Sequence, residues 1–169
     1  MEEVVGIVRT RDQQFQRATG ATQYTAGDVI TTVTSGTIIT FGGISRDGRR
    51  GGIIQEALLI DSANQATKLD AELYLFDTTV TVPNDNAAFA PTDAELRTLV
   101  GVIPFLSSNW KIGTVTSGAD GNAVNQVSGL SMPFNVKVAT NDLFGVLVAR
   151  NAYTPVDSEI FAFRLKVLD

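Results

Sequence analysis

Apolar residues recur at every second position in three stretches of the chain, the period of a strand with one buried face. Leu69, Ala71, Leu73 and Leu75 alternate with Asp70, Glu72, Tyr74 and Phe76. Phe134, Val136 and Val138 repeat the pattern around Asn135 and Lys137, and Phe161, Phe163, Leu165 and Val167 around Ala162, Arg164 and Lys166. Ile53 to Ile60 and Leu143 to Ala149 are apolar on both faces, as suits central strands covered by a second sheet or a neighbouring subunit. Val100 to Phe105 and Trp110 to Val115 form a shorter pair. Asp28 to Thr34 and Thr37 to Phe41 are rich in β-branched residues and are broken by Ser35-Gly36, which predicts a β-hairpin at an edge.

Helical signals are confined to one place. Thr92-Asp93-Ala94-Glu95 has capping-box spacing, and Pro91 with Leu96, Leu99 and Val100 predicts about two turns over residues 91–100. Short strands separated by turn signals such as Gly118-Ala119-Asp120-Gly121-Asn122 favour an all-β, jelly-roll-like two-sheet sandwich. Its core is expected to include Leu73, Leu75, Phe134, Val136, Val146, Val148, Phe163 and Leu165. Thr10 to Gly27 is polar, with Phe15 and Tyr24 as its large apolar anchors. Residues 1–27 are therefore expected to form an extended N-terminal arm, and residues 28–169 a single sandwich domain.

At 169 residues the chain is long enough to bury a substantial core without a crosslink. It contains neither cysteine nor histidine, which excludes disulfides, cysteine-ligated metal, thiolate nucleophiles and imidazole acid–base chemistry. Carboxylate-only chemistry remains. Glu56, Asp70 and Glu72 could be imagined as an acid–base pair, but alternation puts Asp70 and Glu72 on one outward face, where carboxylates are ordinarily solvated. Asp85-Asn86-Ala87-Ala88-Phe89, with Asp77 and Asp93 nearby, could in principle hold a hard cation, yet it lacks the EF-hand order and reads better as a loop leading into the helix. Gly42-Gly43 to Gly51-Gly52 lacks a Walker lysine and is not a phosphate cradle. The expectation is no catalytic, cofactor or metal site, no small-molecule substrate and no enzyme activity.

The net charge of −5 argues against nucleic acid as the main partner. That charge is uneven: residues 1–50 carry six arginines and five acids, whereas the remainder carries seven bases and thirteen acids. An arm of different surface chemistry suits an acidic protein partner. No run approaches the roughly 20 apolar residues of a membrane helix, and the acidic start is not a secretory signal.

Several blocks resemble a family of small virion proteins of tailed phages. Thr22-Gln23-Tyr24-Thr25-Ala26-Gly27-Asp28-Val29-Ile30 resembles its T-x-Y-x-A-G-D-V signature. Glu72 to Asp77, Asp85 to Phe89, Pro91-Thr92-Asp93, Gly101 to Phe105, Met132-Pro133-Phe134, Leu143 to Val148 and Ala152 to Pro155 follow in the family's order. The resemblance implies a capsid cement or decoration protein, a jelly-roll sandwich clustering as a homotrimer on the capsid exterior. Its partner would be the major capsid protein, and it would be made in the bacterial host cytoplasm. A head-fibre or tail binding module, with carbohydrate as its candidate ligand, is the alternative. On either reading the residues expected to meet a partner are Val5 and Ile7, offering a strand to a neighbour's sheet, with Arg9, Arg11 and Arg17 on the arm. Arg46, Arg49 and Arg50 of the glycine-flanked loop complete the set.

Overall fold

The computed structural model describes residues 6–17, 19–32, 36–46, 50–112, 121–137 and 141–169. Among these residues ten strands run in the order β1 (Val8–Gln16), β2 (Val29–Ile30), β3 (Ile39–Phe41), β4 (Gly51–Asp61), β5 (Ala71–Phe76), β6 (Leu99–Phe105), β7 (Trp110–Ile112), β8 (Ala123–Asn135), β9 (Leu143–Ala149) and β10 (Ile160–Leu168), with one α-helix, α1 (Asp93–Leu96), before β6. They form two antiparallel sheets. The first has the order β1-β10-β4-β8-β7; the second is β2-β9-β5-β6, with β3 also paired to β9. Six of the nine connections between these strands cross from one sheet to the other, and β2–β3, β5–β6 and β7–β8 stay within one, which bears out the expected all-β, jelly-roll-like sandwich.

The strand periodicity read from the sequence points into the space between the sheets. Leu73 and Leu75 on β5 face Phe134 and Val136, and with Leu59, Phe161, Phe163 and Leu165 they form the main core. Gly145 faces this layer from β9: a Cβ there would come within 3.0 Å of Leu73 and 3.1 Å of Phe41, so a larger residue would make both side chains shift.

Strand β9 is buried along its whole length. Its outward side chains Phe144, Val146 and Val148 sit in a second apolar cluster with Val29 and Phe76, covered by Val80, Val82 and Phe89. Within the chain the other sheet does not supply this cover. It comes from the loop between β5 and α1, which is stitched to β2 by Val29 N–H to Ala87 O (2.9 Å), Asn86 N–H to Val29 O (2.9 Å) and Phe89 N–H to Gly27 O (2.9 Å). The capping box anchors the far end. Thr92 accepts from Glu95 N–H, and the Glu95 carboxylate accepts from Thr92 N–H (2.8 Å) and Thr81 N–H (2.7 Å). These backbone bonds, that from Thr81 first, pull the Glu95 carboxyl down to about 2.

Three expectations are corrected. Residues 8–16 do not leave the body as an arm: β1 is the first strand of the jelly roll, pairing in unbroken register from Val8↔Leu168 to Gln16↔Ile160. An edge strand can be polar because only one flank needs apolar cover. The inward positions of β1 are Arg9, Arg11, Gln13 and Phe15; Phe15 stacks near Phe161 and Phe163, 5.9 and 6.2 Å between centroids. Among the described residues the segments around 28–41 form no ladder with each other, although the Thr31 hydroxyl donates to Thr37 O (2.9 Å) and accepts from Thr37 N–H (3.0 Å). β2 meets Leu147 and Val148, and β3 meets Leu143 to Gly145, so they lie in line along β9. The helix is one turn, because Leu99 already opens β6.

Candidate interaction surface

The two sheets present unlike outer faces. That of the second is closed by the β5–α1 loop, whereas that of the first is open among the described residues. Across this open face the pairing sets rows of side chains: Gln14, Ala162, Ile60 and Val124; Asp12, Arg164, Leu58 and Gln126; Thr10, Lys166, Glu56 and Ser128. Asp12 and Arg164 form a bidentate pair (2.7 and 2.9 Å), and Lys166 meets Glu56 at 2.6 Å. The hydrogen bond from Arg164 lowers the Asp12 carboxyl below its ordinary value. A concavity of about 380 Å³ lies here, floored by Ala162 and walled by Ile60, Gln14 and the Asp12–Arg164 pair. Val8, Ile53 and Ile160 are exposed apolar residues of this face.

The flank of the face is the free edge of β1. Ile7 and Asp169 exchange backbone bonds (3.0 and 3.2 Å), and Arg17 N–H donates to Glu159 O (2.9 Å). Hydrogen-bonded pairs alternate along an antiparallel ladder, so the odd residues of β1 bond to β10. The N–H and C=O of Val8, Thr10, Asp12, Gln14 and Gln16 therefore point away from the sheet.

The arginines expected to meet a partner divide into two groups. Arg17 is buried and is not available to one. Its guanidinium donates to Tyr24 Oη (2.8 Å), Asp85 Oδ2 (3.2 Å), Val156 O (3.3 Å) and Gly20 O. Burial alone would lower its pKa, but the bonds to Tyr24 and Asp85 outweigh it and raise it. Tyr24 donates onward to Asp85 Oδ1 (2.7 Å), which also accepts from Thr31 N–H (3.0 Å). Burial and that carboxylate push the Tyr24 phenol upward. Both Asp85 oxygens are thus engaged. Among the described residues no group of three or more acids is placed to hold a metal ion.

Arg9, Arg11 and Arg46 lie instead at the seam between β1 and the segment after β3. Arg11 Nε donates to Gly43 O (2.7 Å), and Arg9 and Arg46 both meet Asp169 (3.7 and 3.4 Å). Their stems cover the core edge while their charged heads stay partly exposed. Ile7 is 48% exposed. Arg50 is exposed, with its carbonyl accepting from Val136 N–H (2.6 Å). Val5 and Arg49 lie outside the described residues.

Sequence reasoning missed a second buried polar group. Asp61 and Glu159 are 4% and 1% exposed, bridged by the Tyr153 hydroxyl, which donates to Glu159 Oε1 (2.5 Å) and lies 3.4 Å from Asp61 Oδ2. Ala63 N–H donates to Asp61 (2.7 Å) and Val156 N–H to Glu159 (3.1 Å). Burial, then the Glu159 carboxylate, pushes the Asp61 carboxyl up to about 9. The raised value favours the protonated form of Asp61, and neither acid lines the concavities seen among the described residues. The other acids considered for chemistry are committed as well: Glu72 to Arg150 (2.6 Å), Glu56 to Lys166, and Asp70 to Ser107 N–H. The aromatics that might stack on a sugar are also occupied. Tyr24 and Tyr153 are buried, Trp110 donates to Leu69 O (2.7 Å), and Tyr74 lies under Arg150 and against Phe89.

No family model matches the chain, and no curated protein matches it. Among solved structures it is similar to a chain of the capsid asymmetric unit of cyanophage Pam1, at 15% identity and a TM-score of 0.37, covering 100% of this chain and 90% of that one. It is also similar to the catalytic domain of a GH87 alpha-1,3-glucanase in complex with nigerose, at 12% identity and a TM-score of 0.35, spanning 95% of this chain and 28% of that one. A third likeness is to infectious bursal disease virus, Gt strain, at 13% identity and a TM-score of 0.19, covering 96% of this chain and 42% of that one. Likeness at this level leaves function to be argued from the chain's own surface.

Proposed function

We propose that the chain is a non-catalytic structural protein of a tailed-phage particle. It sits on the capsid exterior as a cement protein, in trimers, and stabilises the shell by bridging neighbouring major capsid protein subunits. The observation that carries this reading is the one-sidedness of the sandwich. One outer face is closed by the chain itself, while the other, five strands wide and flanked by a free edge, is open among the described residues. A broad face mixing aliphatic and paired charged side chains suits protein contact of roughly 800 Å² per partner. The sequence blocks that resemble phage virion proteins support the phage assignment. Two of them, around Tyr24 and Asp85, are the segments joined by the buried Arg17–Tyr24–Asp85 network, so they carry the scaffold that holds the open sheet in place.

The test is co-sedimentation of the purified chain with bare capsids, with sedimentation equilibrium for the trimer. Binding to capsids and none to polysaccharide is the expected result. Binding to polysaccharide alone would transfer the chain to the fibre or tail module class.

A further inference from the structure

We infer that the free edge of β1 is a strand-addition site that takes an extended, acidic segment of the protein partner. The inference rests on the capsid-binding reading and deepens it by naming the contact. Natural edges are blunted by charged side chains, proline, bulges or brevity. β1 carries charge at Arg9, Arg11 and Asp12 but none of the backbone devices: it is nine residues long, free of proline and glycine, and in unbroken register with β10. Among the described residues the other edges are interrupted. β7 covers β8 only at Ala123–Asn125, and the flank of β8 beyond it is broken by Gly129 at positive φ and by Pro133; β6 carries Pro104 and a register break against β5, and β2 is lined by residues 86–89. β1 keeps an unbroken run of outward backbone groups, those of Val8, Thr10, Asp12, Gln14 and Gln16.

Charge selects the occupant. Among the described residues around this edge, Arg9, Arg11, Arg46, Arg164 and Lys166 stand with Asp12, Glu56, Asp142 and Asp169, five cations against four carboxylates, in a chain whose net charge is −5. Arg11 makes its bonds to backbone carbonyls and has no carboxylate partner among the described residues. An incoming acidic strand would supply one, and Ile7 and Val8, 48% and 57% exposed, would give it apolar contact at one end.

The experiment is amide hydrogen exchange on the full chain, free and bound to bare capsids. Strand addition is expected to slow the amides of Thr10, Asp12, Gln14 and Gln16 by about tenfold or more on binding, while those of Arg11, Gln13 and Phe15 change little. Thr10→Pro and Gln14→Pro each remove an outward N–H that β10 does not use. They should weaken capsid binding by about tenfold. The wild-type exchange pattern needs no variant to fold. Failure to bind capsids at all would refute the capsid reading and this contact with it. Binding that leaves the even-numbered amides unchanged would overturn strand addition alone and assign attachment to the open sheet face.

Discussion

Neutralising Asp61 should change how stability depends on pH. The Asp61–Glu159 pair is buried with one hydroxyl between its members, and the Asp61 carboxyl is raised to about 9, whereas an unfolded aspartate titrates near 3.9. Between those values the native state holds a proton that the unfolded chain has released, so stability falls as pH rises, by about 1.4 kcal/mol per unit. The contribution is complete below about pH 4 and gone once pH passes about 9. From about pH 5.5 to about pH 8.5 the wild type should therefore lose up to about 4 kcal/mol, a large part of the stability of an ordinary domain. Asp61→Asn keeps the shape and the acceptor for Ala63 N–H, offers an N–H to Glu159 and carries no proton to lose. Its unfolding free energy, from urea titrations across this range, should be nearly level with pH and should exceed the wild type's at the alkaline end. A level wild-type profile, or a variant that keeps the wild-type slope, would refute the shared proton.

Four further outcomes are expected. Arg17→Ala leaves Asp85 and the Tyr24 hydroxyl buried without their cation and should cost about 3–5 kcal/mol in chemical denaturation; a loss under about 1 kcal/mol would mean that Asp85 is hydrated. Leu73→Ala opens a cavity in the main core and should cost about 2–5 kcal/mol by the same assay. Deleting residues 1–20 removes β1 and Arg17 together, so the product should lack the dispersed NMR spectrum of a folded sandwich; a dispersed spectrum would restore the arm reading. Millimolar calcium should leave the melting temperature unchanged, because both Asp85 oxygens are already taken, and a clear rise would reopen the loop as a cation site.

The parts of the fold legible in the sequence were those where burial repeats with the strand period. β4, β5, β6, β9 and β10 could be placed from their apolar positions, and α1 from its capping box; of β8, Ala123–Asn135, the predicted stretch at 134–138 caught only Phe134 and Asn135, because Gln126 to Pro133 carries no sustained apolar alternation. β1 was not legible because three of its four inward residues, Arg9, Arg11 and Gln13, seal a seam with aliphatic stems and polar heads, so the alternation is invisible on a hydrophobicity scale. β9 could be seen to need cover on both faces, but Val80, Val82 and Phe89 are scattered through a loop with no period to mark them. The arginines stood out as a group. Their division did not, since only tertiary pairing with Asp85, Gly43 and Asp169 separates the buried Arg17 from the three at the seam. Asp61 and Glu159 look like ordinary surface acids beside apolar strands, and no spacing rule announces that they meet.

The pairing of β1 with β10 also sets the order of events during synthesis. β1 has no partner until residues 160–168 exist, roughly 150 residues later, a wait of about 8–30 s at ordinary ribosome speeds. Throughout that interval it is an unpaired strand among other nascent chains. A segment of valines and isoleucines would be an aggregation hazard for the whole time, but the arginines, threonines and glutamines of β1 stay solvated until β10 arrives. The polar composition that hides this strand from a reader of the sequence thus keeps it usable while it waits, and the sandwich closes last along the seam where its earliest and latest strands meet.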